Sequence, residues 1–128
     1  MDTGPPARAA RRVAANAVDH PDYRTRWQAA VLAGEVASWE VVARFVADAD
    51  EYVRRRALLS ARDRFPDRAE AVALQWVEAE HEYSRMVALD TLYAVESDRF
   101  EAAARRLERD ASLVVRSRVR ELHEATSE

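Results

Sequence analysis

The chain contains no cysteine and no lysine, only two glycines and four prolines, and no long apolar run. Without cysteine there can be no disulfide, thiolate zinc site, iron–sulfur cluster or cysteine nucleophile. The two glycines, Gly4 and Gly34, cannot build a glycine-rich phosphate loop. Pro5, Pro6 and Pro21 sit near the start and Pro66 stands alone, so long stretches carry no breaker, whereas a sheet needs turns more often. No stretch approaches the roughly 18 apolar residues of a transmembrane helix. The opening MDTGPPARAARRV lacks the apolar segment of a secretory leader, which makes the cytoplasm the expected compartment and a membrane partner unexpected.

What is present points to helix. Hydrophobic residues make up 48% of the 128 positions, chiefly alanine, leucine and valine, and the polar set is rich in arginine and glutamate. The length suits one domain spanning residues 1–128. Formal net charge is −3, and it is uneven: residues 1–64 hold 11 arginines against 9 acids, residues 65–128 hold 9 against 14. Neither half has the strong basic excess of a polyanion-binding surface.

Internal repetition organises the chain. Tyr52-Val53-Arg54-Arg55-Arg56-Ala57-Leu58, Tyr83-Ser84-Arg85-Met86-Val87-Ala88-Leu89 and Val114-Val115-Arg116-Ser117-Arg118-Val119-Arg120 follow one another at one constant interval, that from Tyr52 to Tyr83. A weaker copy, Tyr23-Arg24-Thr25-Arg26-Trp27-Gln28-Ala29, precedes them at a slightly shorter interval, with Thr25 where the others have arginine. Each copy follows an acidic or polar turn that can cap the next helix: Asp19-His20-Pro21-Asp22, Asp48-Ala49-Asp50-Glu51, Glu78-Ala79-Glu80-His81-Glu82 and Arg109-Asp110-Ala111-Ser112. Pro21 fits a first helical turn. Apolar residues three, four or seven apart on both sides of each turn predict eight helices, near 5–18, 21–35, 38–48, 51–64, 66–78, 82–96, 98–109 and 112–126. The short links make neighbours antiparallel. The predicted architecture is an all-α solenoid of four stacked antiparallel helical hairpins, at about 5–35, 38–64, 66–96 and 98–126. Tyr52, Leu59, Phe65, Trp76, Leu89, Leu92, Phe100, Leu107 and Leu122 are expected to be mostly buried, and the Arg8, Arg11, Arg12 run and the residues after Leu122 to form polar ends.

An Asp-x-Asp turn followed by Val-Arg and Ala-Leu, best seen in Asp48-Ala49-Asp50-Glu51-Tyr52-Val53-Arg54-Arg55-Arg56-Ala57-Leu58, resembles a HEAT-like repeat. The variety it is most similar to is the short repeat of phycobilin lyases. Asp110-Ala111-Ser112-Leu113-Val114-Val115-Arg116 matches next best, and the third copy departs from the pattern at Ser84. The resemblance covers nearly the whole chain and implies a right-handed superhelix whose post-turn helices line the concave face. It also implies an inter-repeat ladder in which Arg54, Arg85 and Arg116 bond to turn acids, here Asp50, Glu80 and Asp110. HEAT-like arrays serve many unrelated partners, so the resemblance speaks to fold and leaves function open.

Candidate sites are few. Arg54-Arg55-Arg56 is the densest basic run, but successive helix residues point about 100° apart and cannot share a face. Trp27 lies near the register of Arg56, Val87 and Arg118, while Trp39 and Trp76 read as structural. His20, His81 and His123 do not converge with acids in any zinc-ligand spacing; Glu78, Glu80, His81 and Glu82 share one solvated turn. No metal, cofactor or catalytic residue is therefore expected. Two functional readings remain. One is a non-catalytic scaffold or adaptor, a monomer or weak dimer, that binds another protein through Tyr23, Trp27, Arg55, Arg62 and Arg118. The other is a nucleic-acid-binding protein related to the HEAT-like alkylpurine DNA glycosylases, with the same arginines set against phosphates; those proteins are longer and more basic.

Overall fold

The computed structural model describes residues 4–127, so residues 1–3 of the stretch read for a leader, and Glu128, lie outside it. Eight α-helices follow in chain order: α1 (Pro5–Asn16), α2 (Tyr23–Val36), α3 (Trp39–Val46), α4 (Glu51–Ala61), α5 (Pro66–Trp76), α6 (Glu82–Ala94), α7 (Phe100–Leu107) and α8 (Leu113–Ser127). Among the described residues there is no strand. The helix ends fall within three residues of those expected from periodicity. The fold is an all-α, repeat-like arrangement of helical hairpins, divided into two compact units, Met1–Pro66 and Asp67–Glu128.

The helix starts are set locally. Asp22 Oδ1 accepts from the Arg24 N–H, and Asp50 Oδ1 accepts from the Tyr52 and Val53 N–H groups. His81 Nδ1 accepts from the Tyr83 N–H, and Ser112 Oγ from the Val115 N–H. Each satisfies a donor that the first helical turn leaves without an intrahelical partner. Pro5 and Pro6 open α1 and Pro66 opens α5, where a missing N–H costs nothing. Pro21 does not open α2, contrary to expectation: it precedes the cap Asp22, and its carbonyl is used by Arg26.

In the first unit α1 packs on α2, α3 on α4, and α2 lies along α4. The core is built from small residues, among them Ala30, Ala33, Ala57 and Ala61, around Val42, Phe45 and Val53. Gly34 shows why small residues are needed. A Cβ placed there would come within 2.5 Å of Ser60 Cβ and 2.7 Å of the Ser60 backbone carbon. That close approach is sealed by polar contacts onto the last turn of α2. Ser60 Oγ donates to the Val31 carbonyl at 2.6 Å, and Arg64 Nη1 to the Gly34 carbonyl at 2.8 Å.

Two expected core residues of this unit are at the surface: Tyr52 is 37% and Leu59 36% exposed. Burial in α4 runs instead through Val53, Ala57, Leu58 and Ala61. Tyr52 and Leu59 lie off the buried faces of α4, which also take in the large side chain of Leu58. Phe65 is half-buried, its ring 5.5 Å from that of Trp39.

In the second unit α6 contacts α7 and α8, and Ala73 and Val77 join the core formed by Leu89, Leu92, Phe100, Leu107 and Val115. Leu89, Leu92, Phe100 and Leu107 are buried as expected, whereas Trp76 and Leu122 are half-buried at its margin. The chain leaves α6 through a left-handed residue, Glu96, at φ 55°. The Glu96 N–H bonds to the Tyr93 carbonyl and the Ser97 N–H to the Leu92 carbonyl, the paired bonds that close a helix C-terminus.

Two stability effects follow. Gly34→Ala should destabilise by about 1–3 kcal/mol, because the added methyl meets the Ser60 Cβ and backbone carbon as well as its movable Oγ, so turning the side-chain tip away does not relieve the clash. An unchanged or higher stability in urea would show that the two helices part without cost. Leu89→Ala, at a fully buried position, should cost about 2–5 kcal/mol in the same assay.

Candidate interaction site

The turns are organised by arginine. Four arginines stand four residues after the four caps: Arg26 after Asp22, Arg54 after Asp50, Arg85 after His81 and Arg116 after Ser112. Each folds its Nη1 back onto the turn that precedes its own helix. Arg26 donates to the His20 and Pro21 carbonyls at 2.8 and 3.2 Å, and Arg54 to those of Asp48 and Ala49 at 2.7 and 3.2 Å. Arg85 donates to the Ala79 and Glu80 carbonyls at 2.9 and 2.7 Å, and Arg116 to that of Asp110 at 2.6 Å. The planar guanidinium presents its donors in a fork, so one edge holds the turn while the other stays available.

In two cases that second edge reaches the carboxylate of the following turn. Arg26 Nε and Nη2 donate to Asp48 at 2.9 and 3.3 Å. Arg85 Nε and Nη2 donate to Asp110, both at 2.9 Å. Each carboxylate also accepts its own turn's N–H, from Asp50 or Ser112.

This geometry changes the sequence register. The first copy aligns through Arg26, which plays the part of Arg54, and not through Thr25. Asp50, expected as an arginine partner, is the cap of α4, and Glu80 contributes its main-chain carbonyl rather than its carboxylate. The carboxylates that Arg26 and Arg85 reach are those of Asp48 and Asp110. The Asp-x-Asp turn held the signal: its first acid serves the arginine and its second the helix N-terminus.

Asp110 shows the electrostatic balance. Burial pushes its pKa up, but hydrogen bonds from Arg85 and the Ser112 N–H, with the charges of Arg85 and Arg116, outweigh it and hold the carboxyl below its ordinary value.

The five residues expected to bind a partner fall into different situations. Arg118 lies in the second unit and is engaged by Asp90 and, at 3.4 Å, by Glu121; the hydrogen bond to Asp90 raises its pKa. Arg62 is half-buried and touches Asp63 at 3.9 Å. Arg55 is half-buried with its guanidinium 5.9 Å from the centre of the Tyr52 ring. Tyr23 is 42% exposed beside the Arg24 guanidinium, 5.5 Å from its ring centre. Trp27 is half-buried and meets Tyr52 edge to face at 5.5 Å.

Arg56, which the sequence did not single out for binding, completes this cluster. Its guanidinium lies 4.8 Å from the Trp27 ring centre and 5.7 Å from that of Tyr52, and its Nη1 donates to Tyr52 Oη at 3.1 Å. Trp27, Tyr52 and Arg56 thus form one aromatic–cation cluster on the α2/α4 face, with Leu59 exposed on the same helix as Arg56.

Among the described residues no group of three or more histidines and acids could hold a metal ion, and no helix is long and apolar enough to cross a membrane. No protein-family model and no curated protein matches the chain.

The Arg85–Asp110 pair gives a pH test. A carboxyl whose pKa is lowered by folding contributes stability that is complete above its ordinary value near 3.8 and is lost as pH falls through the folded value. Asp110→Asn should cost about 1.5–3 kcal/mol near neutrality, and the gap to wild type should narrow below about pH 4. Urea titrations of both proteins from pH 7 to pH 2.5 check this; a gap constant across that range would mean Asp110 is not held ionised by its partners.

Proposed function

We propose that this chain is a non-catalytic protein–protein interaction module that engages its partner through the α2/α4 face of the first unit. The carrying observation is the Trp27–Tyr52–Arg56 cluster, an ordered aromatic and cationic patch with exposed Leu59 beside it. Tryptophan, tyrosine and arginine dominate the binding energy of protein interfaces because they combine a large contact area with directional polar groups. Rings and guanidinium that already support one another lose little freedom when a partner arrives.

The recurring cap-plus-four arginines also support reading the chain as a right-handed, HEAT-like solenoid of four hairpins within one domain. They favour a protein partner over nucleic acid. Arg26, Arg54, Arg85 and Arg116 are turned onto turn carbonyls, so the most regular arginines of the sequence are occupied within the fold. A net charge of −3 adds no long-range attraction for phosphate.

Affinity capture from native extract, with and without nuclease, tests the reading with wild type, Trp27→Ala and Leu59→Glu. One defined protein should remain after nuclease, and both variants should weaken its binding by at least about tenfold, or about 1.4 kcal/mol. Leu59 is exposed, so Leu59→Glu separates lost binding from lost folding, with helical circular dichroism as the control. Nucleic acid as the sole enriched species, or a partner indifferent to both substitutions, would overturn the proposal.

A further inference from the structure

The α2/α4 face carries an order of charge along its length. The two helices run side by side in the same direction. Trp27 meets Tyr52 and Arg56, Val31 meets Ser60, and Gly34 meets Ser60 and Arg64, so partners keep a nearly constant separation in sequence all along the contact. Features near the two N-terminal ends therefore sit together, as do those near the C-terminal ends.

The first end is cationic. Arg56 is held by two rings and the Tyr52 hydroxyl, and it makes no ion pair with any described residue. Arg24 lies on this same end, its guanidinium against the Tyr23 ring. The middle is apolar, with Val31 on α2 and Leu59 on α4. At the far end the groove is lined by acids: Glu35 continues the α2 side, and Asp63 follows α4, its side chain 94% exposed and 3.9 Å from Arg62, while Arg64 is folded onto the Gly34 carbonyl. Val31, Glu35, Arg56, Leu59, Ser60 and Asp63 line one open groove of about 500 Å³. Arg56 and Asp63 stand two helical turns apart, about 10 Å at helical rise.

We propose that this groove is a binding site for an extended peptide segment of a partner protein that carries an acid, then apolar side chains, then a base. The segment's carboxylate pairs with Arg56, its apolar side chains pack between Val31 and Leu59, and its cation meets Glu35 and Asp63. An extended chain advances about 3.4 Å per residue and turns every second side chain to the same face, so the acid and the base stand four positions apart with an apolar side chain midway. The charge order also selects against nucleic acid. A uniform polyanion satisfied at Arg56 would run onto Glu35 and Asp63, where like charges repel it. This inference rests on the protein-binding reading of the same face and specifies the ligand's chemistry.

The test is selection from a random dodecapeptide display library on the full-length chain, followed by titration of a synthetic selected peptide. Enriched sequences should place Asp or Glu four positions from Lys or Arg, with an apolar residue midway. Arg56→Gln should weaken the selected peptide by at least about tenfold. Glu35→Gln with Asp63→Asn should remove the selection for a base while retaining that for the acid. Arg106→Gln, which breaks an exposed pair with Glu78 in the second unit, should change nothing. No enrichment, enrichment without charge order, or a selected set unaltered by Arg56→Gln would overturn the proposal. A captured partner that depends on Trp27 and Leu59, combined with peptides lacking charge order, would remove the charge-ordered groove and leave the interaction reading standing.

Discussion

Main-chain carbonyls in a turn between two helices have no helical partner, and each must find a donor or remain in water. In this chain an arginine near the start of the following helix supplies that donor, four times over. Its guanidinium closes the turn from one edge and leaves the other free to reach an acid beyond it, as at Arg26–Asp48 and Arg85–Asp110. Lysine, a point charge on a flexible stem, could not hold two carbonyls and a carboxylate in one plane. The turn then sets the angle at which the chain enters each helix, and the packing of the hairpins follows from that angle. An all-arginine basic complement is in keeping with this use.

Close packing links the fold to the proposed function. With Gly34 against Ser60, and alanines along α2 and α4, the two helices lie too near each other for large side chains to fit between them. Tyr52 and Leu59 are displaced to the outer face, where Tyr52 joins Trp27 and Arg56. The patch proposed to bind a partner is thus a consequence of how the small residues pack. The same small-residue seam brings the cationic end of the face and its acidic end into register along one groove.

The candidate site was partly legible beforehand. Trp27 stood out because it is an aromatic residue near the register of Arg56, Val87 and Arg118, and aromatic residues are common interface anchors. Arg118 had the same surface pattern as Arg56, yet Asp90, from the preceding repeat copy, occupies it. No spacing rule separates the two arginines, because the difference lies in whether a carboxylate from another helix is within reach. The first repeat's register was misplaced for a related reason. Aligning on the aromatic put Thr25 where Arg26 belongs, whereas aligning on the caps sets Asp22 against Asp50 and Arg26 against Arg54. Caps are the better anchors, since they bond their own helix and are fixed by local geometry.

Helix number, the approximate ends, the capping residues and the recurrence of arginine were determined by the sequence itself. Those features depend on interactions over a few residues, through propensity, periodicity and hydrogen bonds within one turn. Tertiary structure decided which large apolar residues are buried, which acid each arginine meets, and which cation keeps its charge unmatched. Those outcomes depend on distances between groups far apart along the chain, such as Arg26 and Asp48 or Trp27 and Arg56, which exist only once α2 and α4 have closed on one another.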